Sequence, residues 1–346
     1  MKLPIIALLL YTFFAFDLFA ESSRTTQTFQ EYIDEKQKVL SNKVINLFDS
    51  IDRGISRSIG SADNEKYCED MEQKAVNDFF QDKNSVDEFF KNDKYTSETE
   101  KSYLRVSIGA AFESKNSTSF IHKVRAQVPL SRTKESFKLF IDDVKEDYRQ
   151  NSTTSKDNQK SLEIGVNYFA PTPNDIKSKY SIGFSGLSTF ASARYSKDFK
   201  IQKWLIQPTQ QFKYSTKSDF SEETNIYFDR TLEELSLFRT TLHRKTQSSI
   251  AGFDYALAFS YYLTPSSKKG FSFTQQFWGN SKYTCDAAPR QFGGISDYST
   301  FVSWRQNIFR KWITYEIQPG VSFHREHDYK PNQIVRFYVD FYFGNI

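Results

Sequence analysis

Histidine and acidic side chains come together in residues 324–328, which read HREHD. The spacing of three between His324 and His327 could suit a metal ion or an acid–base pair. A run of mixed charge is more often a solvated loop, and we interpret it in that way. The chain has no glycine-rich phosphate loop, His-Glu-x-x-His motif or nucleophile elbow. We therefore predict no catalytic residue, no metal site and no cofactor.

A second group of charged residues alternates with apolar ones. If the segments that hold them are strands, these side chains all point to one side. The group consists of Lys123, Arg125, Glu163, Arg194, Lys213, Arg239, Asp254, Arg305, Glu316, Arg336 and Asp340. Mixed charges inside a barrel form a packed salt-bridge network or border a water-filled pore. The basic excess favours anions over cations.

The elements that would position these charges begin at Tyr103, where apolar residues recur at every second position. The clearest example is Phe253 to Tyr261, in which five large apolar residues alternate with Asp254, Ser260 and two alanines. This alternation is typical of strands that face lipid on one side and a lumen on the other. A soluble β-sandwich has the same alternation, but its strands are usually about five or six residues long, and these are longer.

Turn signals divide residues 103–346 into as many as fourteen segments, or twelve if the weak ones are merged. The segments are 103–113, 118–128, 136–145, 160–169, 178–186, 188–197, 203–215, 220–229, 234–244, 248–263, 270–279, 297–309, 311–324 and 332–343. We predict an all-β transmembrane antiparallel β-barrel of 12–14 strands. An even count places the first and the last residue of the barrel on the periplasmic side and makes the long connectors 146–159 and 280–296 external. Pro208 and Pro319 lie inside predicted strands, so each implies a bulge or a misplaced boundary.

The composition suits such a barrel. Aromatic residues make up 17% of the chain, with 34 Phe and 20 Tyr, yet the mean hydropathy is −0.60. The N-terminus has Lys2, an apolar run and then Ala20 before polar residues, which is the order of a secretory signal peptide cleaved after Ala20. An uncleaved membrane anchor is the alternative, but the run is short for a transmembrane helix.

The charge divides the remaining chain into two parts. Residues 21–102 hold 12 Lys and Arg against 18 Asp and Glu, whereas residues 103–346 hold 33 against 23. In the first part, apolar residues from Phe29 to Ile51 recur at helical spacings, and Gly54 suits the end of that helix. Two more helical stretches follow near Tyr67–Phe80 and Val86–Phe90. We predict three regions: a signal peptide at 1–20, an acidic helical periplasmic segment with a linker at 21–102, and the barrel at 103–346.

Two cysteines, Cys68 and Cys285, could pair in an oxidising periplasm. With Cys285 in a predicted external loop, the pair would require the helices to enter the lumen or the loop to fold deeply into it. The basic residues are scattered, so the charge is not a nucleic-acid signature. The acidic segment could instead enter the barrel, or cross its periplasmic mouth, as a plug.

The C-terminal residues carry a resemblance. Val335, Phe337, Val339, Phe341 and Phe343 alternate with more polar residues up to Gly344-Asn345-Ile346. This aromatic last strand resembles that of Gram-negative outer-membrane barrels, although many of those end on the aromatic residue itself. The resemblance implies a bacterial outer-membrane location, contact with outer-membrane lipid and recognition by the barrel-assembly machinery. It does not identify a specific family.

These observations lead to three hypotheses. The first is a passive, porin-like channel for small solutes. The second is an envelope-organising or surface-interaction barrel with a closed pore, in which residues 29–90 bind a periplasmic partner. The third is a hydrolase at the barrel rim, which rests only on His324 and His327.

Overall fold

The N-terminal part of the chain contributes two helices. The computed structural model describes residues 29–59, 85–90, 103–130, 137–144, 161–170, 173–233, 235–248, 250–266, 268–285, 288–307, 310 and 312–344. Helix α1 is Phe29–Ile59 and helix α2 is Ser85–Phe90. Neither is long and apolar enough to cross a membrane. The signal peptide, the helix predicted near Tyr67–Phe80 and Cys68 lie outside the described residues.

Gly54 does not end α1, so that prediction is wrong. The helix continues to Ile59, and Gly54 does not adopt the positive φ of a helix-ending glycine. A glycine inside a helix costs only about 1 kcal/mol relative to alanine. The hydrogen bonds of the following turn outweigh this cost, because the sequence after Gly54 contains no helix breaker.

The rest of the described chain consists of strands and short turns, including 3-10 turns at Pro173–Asp175 and Arg325–His327. The predicted connector 146–159 lies outside the described residues. The strands are β1 Tyr103–Glu113, β2 Ser119–Pro129, β3 Phe137–Val144, β4 Ser161–Ala170, β5 Ile176–Ser185, β6 Ser188–Lys197, β7 Phe199–Ile201, β8 Trp204–Ser215, β9 Asp219–Glu233, β10 Ser236–Gln247, β11 Ile250–Ser266, β12 Lys269–Cys285, β13 Ala288–Asn307, β14 Ile313–His324 and β15 Pro331–Gly344. Each predicted segment overlaps one of them.

The strands form a closed antiparallel barrel. Every strand pairs with the next one along the chain except β6, which pairs with β8 instead of β7, and β1 also pairs with β15. Strand β7 pairs with β8 in the same register as β6 does, so β6 and β7 are one strand with a break at Asp198. This register places Pro208 opposite Lys197, and the break follows because proline has no N–H to donate. The barrel therefore has fourteen strands, which confirms the larger of the two predicted counts.

Residues 280–296 are not a connector, and that prediction is wrong. Strand β12 continues to Cys285 and β13 begins at Ala288, so the two form a long hairpin. Its register shifts between Trp278 and Gly279 and again beyond Asn280, and Gly294 has a positive φ of 107°. Glycine tolerates this conformation. The residues of this hairpin that look like turn signals in the sequence therefore form bulges within paired strands.

The two ends of the barrel are distinguished by the chain termini. The near end holds the start of β1 and the end of β15, since Tyr103 is paired with Gly344. The far end is the opposite one and holds the hairpin of β12 and β13.

The sheet has one apolar and one polar face. Side chains alternate between the faces, and residues directly opposite each other on neighbouring strands share a face. One face exposes large apolar residues, such as Ile108 (57%) and Phe337 (40%). The other holds buried polar residues, such as Arg305 (3%) and Asp340 (1%). In a closed barrel only the inside can bury them, so the polar face is the inner one.

Candidate functional site

The inner wall is the candidate site, and the pairing register settles which side chains line it. Asp340 lies opposite Ser107 and Thr314, and the same face can be followed from strand to strand around the barrel. All eleven charged residues singled out in the sequence lie on this face: Lys123, Arg125, Glu163, Arg194, Lys213, Arg239, Asp254, Arg305, Glu316, Arg336 and Asp340. Their role in function stays a prediction.

Three of these residues meet in one network on β13, β14 and β15. Arg305 donates to Glu316 and to Asp340, each at 3.0 Å. It also donates to the Tyr342 hydroxyl at 2.6 Å. Arg105 of β1 donates to Asp340 at 2.9 Å and joins the network across the β1–β15 pairing. Two arginines therefore share one carboxylate, and neither buries its charge alone.

Other charges of the inner wall form separate pairs. Arg239 makes two hydrogen bonds of 2.7 Å to Asp229 on the neighbouring strand. Arg125 donates to Asp142 at 2.8 Å, and Lys213 donates to Glu163 at 2.6 Å. On a surface with little access to water, such a hydrogen-bonded ion pair is more stable than a single charge.

The remaining predicted residues make different contacts. Arg336 donates to Gln318 at 3.2 Å and its guanidinium lies 4.8 Å from the centre of the Phe301 ring. Asp254 accepts a hydrogen bond from Asn280, and the ammonium of Lys123 lies 5.7 Å from the Tyr338 ring centre. Arg194 lies opposite Lys179 and Gln211.

Four members of these pairs were missed in the sequence: Arg105, Asp142, Asp229 and Tyr342. The signal was available, because each falls in the polar phase of its strand's alternation. Asp229 also lies directly opposite Arg239 across the β9–β10 hairpin. Only the pairing register could have shown that these residues are partners. If the register shifted by one residue, the same side chains would lie on the outer face.

Basic side chains predominate on one side of the inner wall, from β2 to β8. Within the described residues, this sector carries Lys123, Arg125, Lys138, Lys177, Lys179, Arg194, Lys200 and Lys213, against Asp142, Glu163 and Asp198. Lys179 lies directly opposite Arg194. Like charges at opposite positions destabilise a sheet, so the arrangement concentrates positive charge at a cost in stability.

Helix α2 lies inside the barrel at the near end. Its Val86 (0% exposed) and Phe90 pack against Leu237 of β10 (1% exposed), with Phe89 and Tyr262 beside them. The Phe90 and Tyr262 rings meet edge to face with centroids 5.0 Å apart. Leu237 lies opposite Tyr262, and Tyr262 lies opposite Ser272 on the inner face, so the contact is within the lumen.

A glycine makes room for this helix. A Cβ on Gly270 would lie 2.3 Å from Cε1 of Phe89 and 2.8 Å from Cζ of Phe90. A larger residue at this position would therefore require the Phe89 and Phe90 rings to move away from the wall. We call Leu237, Tyr262 and Gly270 the α2 seat.

The interpretation of residues 324–328 as a solvated loop is wrong for His324, which ends strand β14 and is 2% exposed. His324 is buried on the inner wall opposite Asp297, and its ring centroid is 6.4 Å from that of His327. No group of three or more metal-ligating side chains occurs within the described residues. Cys285 ends β12, but Cys68, with which it could pair, lies outside the described part of the chain.

Comparison with known proteins finds similar solved structures only. No protein-family model and no curated protein matches the chain. The outer-membrane expressed OmpT of Vibrio cholerae is 9% identical, with a TM-score of 0.42 over 70% of this chain and 97% of that one. OccK11 of Pseudomonas aeruginosa is 6% identical, with a TM-score of 0.41 over 70% and 95%. A KdgM porin structure is 8% identical, with a TM-score of 0.35 over 68% and 98%.

These similarities are to outer-membrane proteins and porins, and they concern the fold. The chain's own geometry is a closed antiparallel barrel with an apolar outer face, a polar inner face and an aromatic last strand. The predicted last strand is β15, which closes the barrel by pairing with β1.

Proposed function

We propose that this protein is a passive channel for small solutes in the bacterial outer membrane. The observation that carries the proposal is the inner wall, which is polar around fourteen strands. Side chains fill the interior of barrels with about eight strands, and wider barrels leave space for solutes. The basic sector from β2 to β8 supports a preference for small anions.

Helix α2 bears on how this channel conducts. It occupies part of the near end of the lumen, where Val86 and Phe90 are buried against the α2 seat. In this proposal α2 is a removable obstruction, and conduction increases when it leaves the seat. In this proposal α2 is the part of the acidic segment, among its described residues, that acts as the predicted plug.

Planar-bilayer recording of the full-length protein tests the proposal. We expect discrete conductance steps for the wild type and larger or more frequent steps for Phe90→Ala. Losing the buried ring removes about 2 kcal/mol of packing, which shifts the balance between seated and released α2 by roughly 30-fold. A complete lack of steps from both proteins would refute the channel.

A closed barrel that organises the envelope is the second candidate. The seated α2 and the ion pairs of the inner wall favour it, since both reduce the open cross-section. In this proposal the N-terminal segment binds a periplasmic partner through residues 29–90. Cross-linking through α1 in intact cells would separate the candidates, because a pure channel yields no dominant adduct there.

A further inference from the structure

Helix α1 packs on the outside of the barrel. Val44 is buried against Leu104, Ala126 and Phe343, with Leu40 beside it. Leu104 follows Tyr103 and precedes Arg105 of the inner network, and it lies opposite both Phe343 and Ala126. These three side chains therefore belong to the outer face. α1 and α2 lie on opposite sides of the barrel wall.

The contacts of α1 show that it runs around the near end. Asp34 accepts two hydrogen bonds of 2.5 and 2.8 Å from Arg310, in the turn between β13 and β14. Ten residues later, Val44 packs on β15, β1 and β2. Ten helical residues span about 15 Å, which matches about three strand spacings of 4.8 Å. The helix axis thus crosses the strands instead of following them.

The outer wall beyond α1 is apolar and exposed. On the same two strands, Ile108 and Phe337 lie several residues further from the near end and have exposed side chains. In a transmembrane barrel such residues meet the hydrocarbon chains of the lipid. Helix α1 therefore borders the lipid-facing surface at the level where the bilayer meets water.

One side of α1 combines exposed apolar residues with lysines. Lys36, Val39, Lys43 and Leu47 recur at spacings of three and four, so they form one stripe along the helix. Val39 (43%) and Leu47 (50%) are exposed although they are apolar. Glu35, Asn42, Asn46, Asp49 and Arg53 form an adjacent, wholly polar stripe on the same helix.

We propose that the stripe of Lys36, Val39, Lys43 and Leu47 binds the lipid interface of the bilayer. Val39 and Leu47 contact the upper part of the acyl chains, and the two lysines reach the phosphates along their flexible stems. The polar stripe faces water. The continuity of this stripe with the lipid-facing wall favours lipid over a protein partner. The proposal does not depend on whether the barrel conducts.

Quenching of a fluorescent label in vesicles tests the proposal. The full-length protein carries Cys68→Ser and Cys285→Ser, with one new cysteine at Leu47→Cys or, as the matched control, at Asn46→Cys. Each is labelled with an environment-sensitive fluorophore and inserted into phosphatidylethanolamine and phosphatidylglycerol vesicles. Because an interfacial helix lies about 5–10 Å deep, we expect doxyl-labelled lipid to quench the label at 47 at least about threefold more than at 46. Iodide in the buffer should show the reverse order.

Two results would overturn the proposal. Equal quenching of both positions by iodide, with none by doxyl lipid, would place the stripe in water. Shielding of position 47 from both quenchers, together with a cross-link from that cysteine to a second polypeptide, would identify a protein as the occupant. Gel mobility with and without heating confirms that each variant is a folded barrel before the measurement.

Discussion

At the residue scale, the inner wall is organised by shared charges. Asp340 accepts from both Arg105 and Arg305, and Arg305 also reaches Glu316. A buried charge without a partner costs several kcal/mol, whereas a hydrogen-bonded pair roughly breaks even. The network therefore allows the barrel to keep charged side chains on its inner wall without losing stability.

Asp340→Asn should destabilise the barrel markedly. It leaves Arg105 and Arg305 without the carboxylate they share, and breaking a buried pair costs about 3–5 kcal/mol. The midpoint of urea unfolding should fall accordingly. Asp328→Asn in the turn after β14 is the control, since that carboxylate is exposed. Equal midpoints for the two variants would contradict a structural role for the network.

Acid should weaken the attachment of α1. The hydrogen bond from Arg310, together with its charge, lowers the pKa of the Asp34 carboxyl below its ordinary value of 3.8. Because the pKa is lowered, the ion pair stabilises the docked helix fully at pH values above the ordinary pKa. This stabilisation is lost as the pH falls through the lowered pKa. We expect amide exchange in residues 29–59 to be slow at pH 7 and to quicken by roughly two- to five-fold below about pH 4, as for an exposed ion pair.

Asp34→Asn supplies the control for this pH dependence. The variant should exchange at the faster rate at both pH values once the intrinsic effect of pH on exchange is corrected. If wild type and variant instead show the same change with pH, the Asp34–Arg310 pair does not hold the helix. Arg310→Gln should behave like Asp34→Asn, because it removes the other half of the same pair.

At the element scale, α2 depends on the space above Gly270. Gly270→Val should expel the helix from the lumen, because even a Cβ would meet Phe89 at 2.3 Å. When α2 is released, Val86 and Phe90 lose their buried contacts. The barrel itself should stay folded. Limited proteolysis should then cut the chain near α2 at least about tenfold faster than in the wild type. In bilayers the variant should match Phe90→Ala.

Gly54→Ala is the control for this change. A Cβ there meets nothing within 4 Å, so cleavage and conductance should stay at wild-type values. Unchanged proteolysis of Gly270→Val would contradict the contact between α2 and its seat. Faster proteolysis with unchanged conductance would support the contact between α2 and its seat, but it would show that α2 does not control conduction.

Element boundaries are predicted well where the alternation is regular and poorly in the hairpin of β12 and β13, where the register shifts. Strand β11 was recognised from Phe253 to Tyr261 because every second residue is large and apolar. The sequence predicts a loop beyond Asn280, whereas the strands of this hairpin continue to Cys285 and Ala288. A bulge and a loop use the same residue types, and only a partner strand distinguishes them.

At the scale of the whole molecule, charge asymmetry should set ion selectivity. The basic sector from β2 to β8 should make the channel prefer anions under a salt gradient. Reversing Lys179 and Arg194, which lie opposite each other on the inner wall, to glutamate should lower the anion-to-cation permeability ratio by at least about twofold. The reversal potential in planar bilayers measures this ratio.

Lys115→Glu is the matched control for selectivity. Lys115 lies in the exposed turn between β1 and β2, outside the barrel wall, so a reversal there should change the ratio much less. If the control shifts the reversal potential as much as the double variant, selectivity arises at the far mouth and not along the inner wall.

The charged residues of the inner wall could be identified from the sequence because the side-chain period of a strand is two. Arg305, Glu316 and Asp340 all fall in the polar phase of their strands, and the register places them together. Their pairing could not be predicted, because it depends on which strands are neighbours and on the closure between β1 and β15.

The sequence by itself is enough to predict the architecture. It shows alternation at period two, an even number of segments and an aromatic last strand, and these predict a barrel with an apolar outer face and a charged inner face. The sides that the two helices take were decided by the tertiary structure. An apolar stripe looks the same whether it packs on Leu104 outside or on Leu237 inside. The choice depends on complementary shape and charge, Arg310 for α1 and the space above Gly270 for α2. These features exist only once the barrel has closed.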